Sequence, residues 1–206
     1  MKIACLTTCK DRVDKYFDKV QEAIDSIAKQ VDRVYVTISE EEFGTQLPNF
    51  NNCLMFHTVK NIRSFKKYLP LKSFYHGDDI VFICDDDWRY HDNYADYMLN
   101  MLGDNDIASL GYGGAIGGFT VMRGSAIELD FFRKMSDEII ETRIDDVYLT
   151  KYMKWKGRKC VFCDRCTDDI VRKLADPLIS ESANNPNNEI YPKTFGIATK
   201  FKFTGE

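Results

Sequence analysis

Three consecutive carboxylates, Asp85-Asp86-Asp87, stand directly after the apolar run Ile80-Val81-Phe82-Ile83-Cys84. That run is the most strand-like segment of the chain, and open α/β sheets bind ligands at the carboxyl ends of their strands. Three adjacent anionic side chains repel one another and need a compensating cation. Hard divalent ions prefer carboxylate oxygen, and Mg²⁺ or Mn²⁺ commonly bridges such groups to substrate phosphates. A polar turn or a helix cap is the plain alternative. A second acidic pair, Asp145-Asp146, opens an expected helix over 145–155. The helix dipole alone favours carboxylates at that end, and a carboxylate there is also suited to taking a proton from an attacking hydroxyl.

The cysteines are less suggestive. There are seven, at positions 5, 9, 53, 84, 160, 163 and 166. The spacing Cys160-x-x-Cys163-x-x-Cys166 would suit a thiolate-held metal, but no histidine follows residue 91 to complete a tetrahedral zinc site. A strand over 159–163 with buried thiols is the simpler expectation. The odd count and uneven spacing fit a reducing compartment. The chain turns polar after six residues, too soon for a signal-peptide core. No apolar run approaches the roughly 20 residues that span a bilayer. The expectation is a cytoplasmic protein with no transmembrane segment.

These residues need a scaffold. The 206 residues suffice for one domain with its own core. Hydrophobic residues at 44% and charged residues at 29% exclude disorder and coiled coil. A net charge of −4 argues against a nucleic-acid partner. The first 85 residues alternate strand and helix. Strands are expected over 2–7, 33–38, 53–59 and 79–84. Val13, Phe17, Val20, Ile24, Ile27 and Val31 mark the apolar face of a long helix. A short basic helix over 64–69 is expected to stop at Pro70. Further on, the pattern predicts a helix over 92–102 and a glycine-rich stretch over 111–118. A strand over 119–122 follows, then a helix capped by Ser125, then the 145–155 helix ended by Gly157. This order predicts an α/β fold with a mostly parallel central sheet flanked by helices.

A strand-helix-strand start leading to a strand that ends in Asp-x-Asp resembles the glycosyltransferases of the GT-A fold. Asp85-Asp86-Asp87-Trp88-Arg89-Tyr90 is similar to the DDDxxY form of many sugar-nucleotide enzymes. Lys67-Tyr68-Leu69-Pro70 resembles the KLxP stretch that precedes that strand in some families. Asp145-Asp146-Val147-Tyr148-Leu149 resembles their EDVYL helix start. The ordered set covers about residues 2–165. The small size and cysteine-rich style are also similar to the N-terminal domain of a multidomain chlorovirus glycosyltransferase, which would imply a host cytoplasm.

The resemblance implies one catalytic domain over 1–206. Its nucleotide-binding half would be 1–87, its acceptor and donor-sugar half 88–165, and an irregular wrap or lid 166–206. It implies that Asp87 ligates Mn²⁺ or Mg²⁺, and that Asp85 binds the metal through water or faces the ribose. Asp86 would orient its neighbours or touch the donor sugar. Thr7, Thr8, Lys10 and Arg12 belong to the loop that would cradle base and ribose; Thr8 or Asp11 as a plain helix cap is the alternative. Lys67 would meet the diphosphate or the base edge, with Arg63 or Lys66 as substitutes, unless it is an exposed lysine on a short helix. One of Asp146 and Asp145 would be the catalytic base of an inverting enzyme; in a retaining enzyme neither need be a base, and both would only orient acceptor or donor. Where the sequence has Asp145, the family pattern has Glu, so the choice stays open. Residues 111–118 would lie where donor and acceptor sugars meet, and Trp88 and Tyr90 would stack on sugars or pack in the core. Many relatives take a late histidine as a metal ligand; here Asp168 or Asp169 would serve, or water would fill that position.

The implied function is transfer of a hexose or deoxyhexose from a nucleotide sugar, most readily a UDP-sugar, to a glycan acceptor. A sugar-phosphate nucleotidyltransferase is one alternative, although such enzymes carry a GGxGTR loop where this chain has Thr7-Thr8-Cys9-Lys10-Asp11-Arg12. A non-catalytic nucleotide- or glycan-binding module is the other.

Overall fold

Strand β1 (Lys2–Thr7) buries Ile3, Ala4, Cys5 and Leu6 in succession. A strand apolar on both faces belongs in the middle of a covered sheet, and the computed structural model of the protein puts it there. The structure describes residues 1–73, 77–110, 119–163, 170–174, 197 and 200–203.

Helix α1 (Lys10–Ala28) buries Val20, Ala23, Ile24 and Ile27. Its first part is more exposed, and the backbone leaves helical geometry at Tyr16 (φ −140°, ψ 37°). Neither Thr8 nor Asp11 caps it. Cys9 occupies the cap position and makes no side-chain capping bond. The chain continues through β2 (Arg33–Ser39), α2 (Glu40–Phe43) and β3 (Leu54–Thr58). A 3₁₀ helix (Arg63–Tyr68) then runs directly into α3 (Leu69–Ser73). Pro70 therefore does not end the basic helix. It sits in the first turn of α3, where no amide hydrogen is needed.

Strand β4 (Ile80–Ile83) leads to the acidic triplet and the short strand β5 (Trp88–Tyr90). Then come α4 (Tyr94–Leu102), β6 (Ile107–Leu110) and β7 (Phe119–Arg123). A 3₁₀ turn (Gly124–Ala126) takes the place of the Ser125-capped helix, and α5 (Leu129–Arg133) starts after Glu128 instead. The rest is α6 (Asp137–Glu141), α7 (Asp145–Trp155), β8 (Cys160–Cys163) and β9 (Val171–Lys173). Gly157, at φ +64°, takes the left-handed turn that closes α7.

Seven strands form one sheet in the order β3-β2-β1-β4-β7-β6-β8. The β3, β2, β1 and β4 strands are mutually parallel, β7 is antiparallel to both neighbours, and β8 is parallel to β6. β5 and β9 form a separate antiparallel pair. One face of the sheet packs Ala4, Leu6, Phe82 and Val121 against α1 and α4. The other packs Ile3, Cys5, Val81 and Met122 against the 3₁₀ helix, α5 and α7. Strand order reverses between β1 and β4. The loop after β1 and the triplet after β4 therefore emerge side by side at the switch point.

Candidate functional site

The triplet is held by its backbone. The Cys84 amide donates to the Cys5 carbonyl at 3.0 Å, which ties the end of β4 to β1. The Asp85 amide donates to the Tyr90 hydroxyl at 2.7 Å, and that hydroxyl donates to the Asp85 carbonyl at 2.9 Å. The Leu174 amide donates to the Asp87 carbonyl at 2.8 Å. Tyr90 is buried among Tyr94 and Phe119, and Trp88 packs edge-on against Phe119. Tyr90 is a core element that shapes the turn, and Trp88 is half-buried against the same core.

The side chains divide between two cations. Lys67 Nζ lies 3.0 Å from Asp85 Oδ1 and 3.0 Å from Asp145 Oδ2. It is buried, with a side chain only 6% exposed, so the exposed-lysine reading fails. Burial alone would push its pKa down; the Asp145 and Asp85 carboxylates more than offset this and hold it well above the usual lysine range. Tyr68 donates its hydroxyl to the same Asp145 oxygen at 2.8 Å. Arg12, from α1, places Nε 3.3 Å from Asp86 Oδ1 and Nη1 3.3 Å from Asp87 Oδ2. Burial raises the Asp87 carboxyl to about 7, with Asp86 and Asp85 adding to the rise and Arg12 opposing it. Burial also raises Asp86, against the pull of Arg12.

In this site, Asp86 Oδ2 and Thr8 Oγ1 are buried without a hydrogen bond of good geometry among the described residues, although the Thr8 hydroxyl lies near enough to Asp86 to pull its carboxyl down. They are hard donors in the same small region. Among the described residues, no three His, Cys, Asp or Glu side chains converge as a ready-made metal site.

The other expected residues are distributed unevenly. Thr7 Oγ1 donates to the Thr37 carbonyl at 2.7 Å and locks β1 to β2. Lys66 supports the loop from behind, with Nζ 2.6 Å from Glu42 Oε2 and 3.2 Å from the Thr8 carbonyl. Lys10 is not brought to the carboxylates; it pairs with Asp14 one turn along the exposed face of α1. Arg63 faces Glu141 at 4.0 Å instead of the triplet. Asp168, Asp169, Cys166 and residues 111–118 lie outside the described residues.

Asp145 and Asp146 differ in kind. Asp145 is buried and engaged by Lys67 and Tyr68. The Asp146 side chain accepts only the Val147 amide, on Oδ1 at 2.8 Å, and among the described residues its Oδ2 has no hydrogen-bond partner. Burial, reinforced by Asp145, raises its pKa to about 6. Elsewhere, a groove of about 320 Å³ opens between α1 and β5, lined by Asp18, Glu22, Asp25, Lys29 and Arg89. None of the triplet or pair lines it.

Neither a protein-family model nor a curated protein matches the chain. Solved structures do. A 2-C-methyl-D-erythritol 4-phosphate cytidylyltransferase of Francisella tularensis superposes with a TM-score of 0.51 at 12% identity, covering 85% of this chain and 94% of that one. Residues 1–349 of S. aureus TarS superpose at 0.51 and 14% identity, over 80% of this chain and 58% of that one. The galactosyltransferase LgtC, solved with donor and acceptor sugar analogs, scores 0.49 at 14% identity, covering 100% and 98%. The fold is that of the nucleotide-diphospho-sugar transferases, the GT-A type. At these identities the likeness establishes the architecture alone.

Two outcomes follow for stability. Lys67→Met should leave Asp85 and Asp145 facing each other without their cation and cost about 3–5 kcal/mol in urea unfolding, with part recovered in Lys67→Met/Asp145→Asn. The raised pKa of Asp146 gives stability that is present below its unfolded value near 4 and lost as pH rises through about 6. Asp146→Asn should therefore melt above the wild type at pH 7.5, with the gap closing by pH 4.5.

Proposed function

We propose that the chain is a metal-dependent glycosyltransferase that moves a hexose or deoxyhexose from a nucleotide sugar, UDP-linked in the first instance, to a glycan hydroxyl. The observation that carries this reading is the Lys67 ammonium shared by Asp85 and Asp145. It brings the carboxylates at the sheet's switch point next to the carboxylates that open α7. A donor diphosphate needs the first group, and an acceptor hydroxyl needs the second.

The buried oxygens of Asp86 and Thr8 suit a hard cation, and Asp87 with Asp85 would hold Mn²⁺ or Mg²⁺ beside them. When bound, such an ion supplies Lewis-acid stabilisation of the charge on the departing diphosphate. The chain's own residues do the rest. Lys67 keeps Asp85 oriented and, with Tyr68, keeps the Asp145 carboxylate occupied. That leaves Asp146 as the general base, with its open Oδ2 available to an acceptor hydroxyl. The Thr7–Thr8 backbone, fixed by Thr37 and Lys66, forms the wall against which the nucleoside would lie.

The cytidylyltransferase likeness supports a second reading, nucleotidyl transfer, on the same sheet. The loop after β1 counts against it, because no glycine precedes residue 44 to cradle a triphosphate. Product analysis separates the readings. Incubation with UDP-hexoses and glycan acceptors should release UDP. Pyrophosphate release from UTP and a sugar phosphate would establish the second reading, and neither product would leave a binding module. In the transfer assay, rate should climb through about pH 6 to a plateau. Asp146→Asn should lower it about 10²–10⁴-fold with little loss of donor affinity; unchanged turnover would remove Asp146 from the mechanism.

A further inference from the structure

Arg12 is the cation set against the last two carboxylates of the triplet. Its guanidinium faces two different carboxylates, Asp86 and Asp87, at 3.3 Å each. A well-formed charge-assisted bond is closer to about 2.8 Å, and Nη1 makes no hydrogen bond of good geometry although it is buried. The contact is therefore a loose counter-ion pairing, unlike the 2.6 Å grip of Lys66 on Glu42. Beside it Asp86 Oδ2 and Thr8 Oγ1 are buried without a hydrogen bond of good geometry among the described residues, and their mutual contact only partly offsets the burial of Asp86. Arg12 also stands on the first part of α1, which the break at Tyr16 separates from the packed remainder.

We propose that Arg12 is a built-in counter-ion that competes with the divalent cation for Asp87. It neutralises the acidic pair when the site is empty of metal and must leave the pair when metal binds. This rests on the donor-site reading above. Exchange of one cation for another lowers the apparent metal affinity of the free protein, because the Arg12 pairing must be broken first. A nucleoside diphosphate offers the displaced guanidinium a new anionic partner, so Mn²⁺ and UDP should each tighten binding of the other.

The test is titration of Mn²⁺ alone into the full chain, following the free aquo-ion by electron paramagnetic resonance. Arg12→Gln should bind Mn²⁺ at least tenfold more tightly than the wild type. Arg12→Lys, which keeps a charge, should stay near the wild-type value. Arg12→Gln/Asp87→Asn should lose the gained site. If Arg12→Gln does not fold without metal, Mn²⁺ should restore its cooperative melt, and failure to do so at millimolar Mn²⁺ counts against the proposal. If Arg12→Gln binds no more tightly while Asp87→Asn abolishes binding, the metal site stands and the competition is overturned. If no protein binds Mn²⁺ even with UDP, the donor-site reading fails with it.

Discussion

A single buried ammonium holds the candidate site together. Lys67 lies on the 3₁₀ helix beneath β1 and touches one carboxylate from the end of β4 and one from the start of α7. A buried lysine is tolerable only when paired, and buried carboxylates only when neutralised. Lys67 and Asp145 are both buried and depend on each other, and the half-exposed Asp85 adds a second contact to the lysine. The arrangement joins the parallel half of the sheet to the helix that covers its other end, and Tyr68 adds a hydroxyl to the same carboxylate. Removal of the lysine would expose repulsion between segments sixty residues apart in sequence.

The remaining charges are arranged around that pairing. Arg12 balances Asp86 and Asp87 from the opposite side, and Lys66 with Glu42 braces the loop from behind. Two features stand apart from these pairs: the buried oxygens of Asp86 and Thr8, which lack a hydrogen bond of good geometry among the described residues, and Asp146 with its raised pKa. Unsatisfied polar groups cost stability, and folded proteins concentrate them where ligands and protons are handled. Tyr90 shows how the backbone accommodates this. Its one hydroxyl both donates and accepts at Asp85, so a turn bearing three like charges keeps a defined shape.

Much of this was legible in the chain. Strands β1, β2 and β4 and helix α7 carry continuous apolar runs or clear helical periodicity, and the triplet marks its own position at a strand end. Strand β6 was not legible, because Ile107-Ala108-Ser109-Leu110 is four residues long and takes its register from β7 and β8. The β5–β9 pairing joins segments some eighty residues apart and has no local signal. Pro70 read as a stop because its permitted place in a helix's first turn looks the same as a break. Within the site, residue types pointed to the carboxylates, but tertiary packing assigned the cations. Lys67 turned inward and Arg12 joined the triplet, while Lys10 found a partner one turn along its own helix and Arg63 one on α6. Asp145 and Asp146 are adjacent and chemically alike, and only their neighbours distinguish a held carboxylate from an open one.

The central claim is that the carboxylates beside Lys67 form a nucleoside-diphosphate site. Calorimetric titration of UDP into the protein, with Mn²⁺ and then with EDTA, tests it most directly. The account predicts metal-dependent binding in the wild type and its loss in a folded Asp87→Asn variant. Binding that is equally tight in that variant, or no binding of UDP, GDP or CDP by a folded wild-type sample, would contradict it.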